Sequence, residues 1–141
     1  MKPRQEYAVT VTARERAELL PFDAETRAIG PREVAGRTLT TLISPGTELA
    51  GCYLGGSFPS VPGYAAVFGV DEVGVEVSDI KPGDRVFCMG QHRSHQRCLR
   101  DDLVPIPDSL SPEVAVFCRM MGITMTTLTT TTARPPEQVL A

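Results

Sequence analysis

The sequence predicts a mainly β domain, a barrel or sandwich of short strands followed by one C-terminal helix. Three observations carry that prediction. Twelve glycines and twelve prolines cut the 141-residue chain into short pieces. The pieces between them alternate apolar and polar residues, the period of a half-buried strand. Helical spacing is confined to one stretch near the end of the chain.

The elements follow in order. Glu6 to Thr12 alternates well enough for a first strand, and Ala17 to Pro21 reads as its hairpin return. Glu33 to Ile43 is a strand with Val34, Leu39 or Thr41, and Ile43 alternating, and Ser44-Pro45-Gly46 punctuates it. Gly51 to Pro62 is rich in glycine and proline and reads as loop. From Pro62 to Val86 two half-buried strands are expected. The first, Ala65 to Val73, is small and apolar. Gly74 turns the chain into the second, where Val75 and Val77 alternate with Glu76 and Ser78. Lys81-Pro82-Gly83-Asp84 makes a tight turn, because Pro82 presets φ and Gly83 tolerates a positive φ. Val86 to Met89 and Ser94 to Leu99 follow as strands. Leu103 to Pro107 is an extended edge segment, since proline gives no ladder donor. Ser111 then stands as an N-cap with Pro112 at the first helical position. From Glu113 to about Leu128 a single helix is expected, with Val114, Phe117, Met121 and Met125 on one face. The threonine-rich stretch from Thr126 to Thr132 is poor for continuing it.

Size and charge narrow the function. A chain of this length supports one domain with a real core. Basic and acidic residues, 14 and 17, are interleaved to a net charge of −3, so no basic patch points to nucleic acid. No apolar run approaches the roughly 20 residues that span a bilayer, so no membrane partner is expected. Cys52, Cys88, Cys98 and Cys118 lack the density of a disulfide scaffold. Four reduced thiols in a cytoplasmic protein is the simplest reading.

The ordered motifs G-T-E (Gly46–Glu48), P-G-Y (Pro62–Tyr64), K-P-G-D-R-V (Lys81–Val86), S-P-E (Ser111–Glu113) and P-P-E-Q-V-L (Pro135–Leu140) resemble the medium-chain dehydrogenase/reductase superfamily, the zinc alcohol dehydrogenases and their relatives. The resemblance covers nearly the whole chain, but only the first half of a family enzyme. It implies a GroES-like, partly open β-barrel with a C-terminal helix over residues 1–132. Residues 133–141 are then a linker and the start of a nucleotide-binding domain. The chain stops at Val139-Leu140-Ala141, before any G-x-G-x-x-G fingerprint. The expectation is an excised domain, a truncated product or a subunit completed by a cofactor-domain chain, inactive alone and prone to self-association.

The resemblance also implies the chemistry: hydride transfer between NAD(P) and an alcohol, ketone or polarised alkene, with the cofactor carrying the reaction. NAD(P) belongs to the complete enzyme and is not expected to bind this chain tightly. At the family's zinc-ligand positions stand Pro45, Tyr64 and Met121, none of them a preferred zinc donor, so no zinc is expected. Thr47 and Glu48 match the family's relay hydroxyl and the acid behind the metal; a turn or cap after Pro45-Gly46 is the competing reading. Tyr64 and Met121 are candidates for substrate contact, Gly46 and Gly122 for cofactor contact.

His92 and His95 are the only histidines, and histidine titrates near neutrality without perturbation. Either could serve as acid or base. Cys88, His92, His95 and Cys98 together carry metal-ligand types at suggestive spacing, but on a strand from Ser94 to Leu99 His95 and Cys98 point to opposite faces. The alternatives to an oxidoreductase domain are a non-catalytic barrel that binds a small molecule or partner, and a metal module built on those four residues.

Overall fold

The computed structural model of the chain describes residues 5–22 and 27–131. Two antiparallel sheets form it. β1 (Glu6–Ala13) and β2 (Arg16–Phe22) make a hairpin. β3 (Glu33–Thr41), β4 (Ala66–Val73), β5 (Arg85–Cys88), β6 (His95–Leu99) and β7 (Val104–Pro105) make a five-stranded sheet in the order β6-β3-β4-β5-β7. The hairpin is tied on through bridges from Ala8 to Arg93 and from Val11 to Ser60. Cys98 on edge strand β6 packs into the same cluster as Cys88 of β5 and Leu103 beside β7. The sheet therefore curls, while among the described residues no ladder joins β6 to β7. This is a partly open barrel.

The first half of β4, Ala66–Val70, is apolar without interruption because both its faces are covered there, whereas Asp71 and Glu72 further along are exposed. Ala66, Phe68 and Val70 point into the barrel cluster with Val34, Ile80, Val86 and Cys88. Ala65 and Val67 point the other way, under Ala115 and Val116. Fully burying a side chain such as Phe68 contributes roughly 2–3 kcal/mol.

The Lys81–Asp84 turn forms as expected. The Asp84 amide donates to the Lys81 carbonyl at 3.1 Å, the Lys81 amide donates to the Asp84 carboxylate at 3.0 Å, and Gly83 adopts φ +96°. The edge segment at Val104–Pro105 also forms, pairing with β5 alone.

Three expectations are corrected. The strand expected at Val75–Ser78 is a turn: Val75 is 93% exposed, and the Gly74 and Glu76 amides bond Glu33 and Pro31 carbonyls rather than a strand ladder. The Gly51–Pro62 loop opens with helical structure, since α1 (Pro45–Glu48) runs on through a π-turn at Leu49–Tyr53. The expected single helix is two, α2 (Pro112–Ala115) and α3 (Cys118–Thr130). Between them the Phe117 amide bonds the Val114 carbonyl, one residue short of the α spacing. That break puts Ala115 and Val116 against β4, so Val114, Phe117, Met121 and Met125 face solvent. The threonines extend α3 instead of ending it. The hydroxyls of Thr124, Thr126, Thr129 and Thr130 each donate to a carbonyl on the preceding turn.

The expected boundary at residues 133–141 lies outside the described residues. No helix among the described residues is long and apolar enough to cross a membrane.

Glu33 opens β3 and anchors the loop before it. Arg27 donates to its carboxylate, and the Gly30 amide adds a bond of 2.7 Å. These bonds hold the carboxyl down from 4.5 to about 2. A depressed carboxyl adds stability that is fully present above its unfolded value and lost as pH falls through the folded one. We expect the urea midpoint to fall between about pH 4.5 and 2, and Glu33→Gln to flatten that limb. An unchanged acid limb in Glu33→Gln would disprove the assignment.

Candidate active site

His92 is set by its backbone before its side chain. Its amide donates to the Pro62 carbonyl at 2.9 Å, and its carbonyl accepts from Val9 at 2.8 Å. Gly63 makes this approach possible: it has φ +104°, and a Cβ there would lie 2.6 Å from the His92 nitrogen. Buried Gln96 fixes the same loop from below, donating to the Gln91 carbonyl at 2.9 Å and to Thr38 Oγ1 at 3.1 Å.

The ring so placed is engaged at both nitrogens. Nε2 lies 2.8 Å from Glu48 Oε2, and Nδ1 lies 2.7 Å from Thr41 Oγ1. The other oxygen of Glu48 accepts the Ser44 amide at 2.9 Å. Glu48 therefore serves as cap and as partner at once, because α1 begins beside β3. Only 7% of the His92 side chain and 11% of the Glu48 side chain is exposed.

The pair sits in the wall of a cavity of about 350 Å³. Val9, Val11, Ile43 and Leu49 are among its apolar lining residues, with Cys52 and Tyr53 on the π-turn. A second hollow shares Val9, Thr41 and His92 with the first and is also lined by Tyr7, Thr38, Arg93 and Ser94.

Other candidates lie elsewhere. Thr47, next to Glu48, is exposed. His95 is half-buried on β6 opposite Arg37 and does not line the cavity. Tyr64 lies 5.2 Å under the Arg119 guanidinium. Met121 is 65% exposed. At Gly46 and Gly122 an added Cβ would meet nothing within 4 Å.

Cys88 and Cys98 meet in the barrel. The bond to Cys98 and burial push the Cys88 thiol up, while Cys98, receiving that bond, is held down. Among the described residues no three histidine, cysteine or acidic side chains converge to hold a metal ion.

Thr41 and Gln96 had no sequence signal of their own. A hydroxyl within a threonine-rich strand and a glutamine in a polar strand gain their contacts at this site only through the loop that returns beside them.

No family model and no curated protein matches the sequence. Solved structures do. A mutant form of enoyl thioester reductase from Candida tropicalis matches with TM-score 0.70 and 20% identity, over 93% of this chain and 44% of that one. A quinone oxidoreductase from Pseudomonas syringae pv. tomato DC3000 matches with TM-score 0.71 and 26% identity, over 94% and 43%. A 2R,3R-butanediol dehydrogenase from Bacillus subtilis matches with TM-score 0.74 and 16% identity, over 92% and 48%. The chain thus spans less than half the length of these proteins. Its fold is that of the GroES-like domain of the medium-chain dehydrogenase/reductase superfamily.

Proposed function

We propose that the chain is the substrate-binding domain of a zinc-independent, NAD(P)-dependent oxidoreductase acting on a small alcohol, ketone or polarised alkene. One observation carries this reading: a buried His92–Glu48 pair stands in the wall of a largely apolar cavity. An apolar hollow with one convergent polar cluster is what a small substrate with one reacting oxygen needs.

The donor set does not fit zinc. Pro45 lines the cavity without a donor, Tyr64 lies under a cation, and Met121 is exposed. NAD(P), when bound, supplies or takes the hydride. Gly46 and Gly122 are assigned to its contact, since no neighbour within this domain demands a glycine at either position. Tyr64 and Met121 are assigned to the substrate side. Of the two histidines, His92 takes the acid–base role with Glu48 orienting it; Thr47, exposed next to Glu48, does not line the cavity. The cofactor domain would come from another part of the protein or from a partner chain, and four free thiols suit a cytoplasmic setting.

Titration with acetophenone tests the cavity. We expect saturable NMR shifts at His92, Leu49 and Tyr53, and slower alkylation of Cys52 by iodoacetamide in the bound state. Absence of saturation, or shifts confined to another surface, would overturn the reading. Fusion to the dinucleotide-binding domain of a neighbour such as the quinone oxidoreductase, with NADPH and acetophenone, separates an enzyme from a non-catalytic barrel. Turnover that His92→Phe abolishes is the expected result.

A further inference from the structure

We infer that Glu48, His92 and Thr41 form a proton relay whose outer end, the Thr41 hydroxyl, meets the oxygen of a carbonyl substrate; this rests on the reading of the cavity as a substrate site. His92 cannot do this itself. Its ring is buried, and both its nitrogens are occupied, at 2.8 Å by Glu48 and at 2.7 Å by Thr41. A ligand entering the cavity would have to break one of those bonds to reach the ring. Thr41 is the exposed end of the chain of bonds. It is half-buried at the end of β3 and lines both the apolar cavity and the hollow beside it.

The bonding rules give the relay its direction. A carboxylate only accepts, so the Nε2 proton belongs to the ring and points at Glu48. When the ring is neutral, Nδ1 has a lone pair and the Thr41 hydroxyl donates to it. When the ring is protonated, Nδ1–H donates to Thr41 Oγ1, and the Thr41 proton turns outward to the cavity. As the carbonyl carbon accepts a hydride in the proposed reaction, the π-electron pair moves to oxygen, which takes the Thr41 proton. Thr41 is reprotonated from Nδ1, and the ring is left neutral, still held by Glu48. Atoms and charge balance: a ketone, a hydride and one ring proton give the alcohol. Oxidation of an alcohol runs the same path backwards. Glu48 positions the ring; Thr41 touches the substrate.

The test uses two ligands of one shape, cyclohexanone and methylenecyclohexane, bound to the chain itself. The ketone is expected to bind about fivefold more tightly, the equivalent of one hydrogen bond. Thr41→Val should erase that preference and Thr41→Ser should keep it. The preference should also be greatest at acid pH and shrink as the His92 ring loses its proton, followed through its ring NMR signals. Titratable or charged side chains sharing the two hollows with His92 are Glu48, Cys52, Tyr53, Tyr7 and Arg93. A Thr41 that only packs would give a preference independent of His92 protonation, and that profile is read on wild-type protein even if Thr41→Val does not fold. If both ligands bind and Thr41→Val leaves the preference intact, the relay fails and the cavity stands. If neither ligand binds wild type, both fail.

Discussion

Gly36→Ala is expected to cost about 3 kcal/mol or more, a large share of the stability of a small domain. Gly36 lies on β3, which is laddered on one side to β4 and on the other to β6. A Cβ built there would sit 1.9 Å from the Gly69 carbonyl oxygen and 2.9 Å from the Asp71 nitrogen. Both are backbone atoms, so no side chain can swing aside to relieve the clash. The register shift between Ala35 and Gly36 brings the two strands this close, as bulges do where a strand bends sharply. Relief would require β3 to leave β4, which carries both halves of the core. Gly122→Ala is the matched control. That glycine lies in α3 with nothing within 4 Å of an added Cβ, so alanine should raise stability by roughly 0.5–1 kcal/mol. Urea midpoints followed by circular dichroism decide it, and equal midpoints for Gly36→Ala and wild type would refute the close approach.

The same contrast shows how much of this molecule a reader of the sequence can reach. Local chemistry was legible wherever one residue decides the backbone. Pro82 and Gly83 fix their turn, Pro105 marks an edge strand, and Ser111-Pro112 starts a helix. The motif order gave the fold, and the solved structures agree with it. Tertiary contact decided what was not legible. Val75 to Ser78 alternates like a strand, yet its amides go to the Pro31–Glu33 segment and to its own turn. The helical stripe from Val114 to Met125 is real in spacing, but a break at Val116–Phe117 turns a different pair inward. The site divides in the same way. Glu48 was a candidate through the family resemblance and His92 through its residue type, and the structure brings them together. Thr41 was not, because a hydroxyl becomes a partner only when a loop fifty residues later returns to it.

His92→Leu is expected to destabilise the domain by about 3 kcal/mol and to abolish the response of the cavity to a ketone. The stability loss comes from what is left behind. Glu48 Oε2 is shielded from solvent and loses its partner at 2.8 Å, while Oε1 stays bonded to the Ser44 amide. A buried carboxylate with one oxygen unpaired costs far more than the net worth of the bond it lost. Glu48→Leu should cost a similar amount for two reasons, the orphaned Nε2–H and the uncapped Ser44 amide. The double variant removes both orphaned groups at once. It should therefore be less destabilised than the sum of the singles, with a coupling of about 1–3 kcal/mol. An exposed pair behaves differently. Arg16 and Glu18, at a similar 2.9 Å but with the arginine largely in solvent, should show coupling under about 1 kcal/mol in the same cycle. If the two cycles give equal couplings, water reaches His92 and Glu48 freely. The pair would then be unable to hold a proton away from solvent for a substrate, and the acid–base reading of the cavity would fall with it.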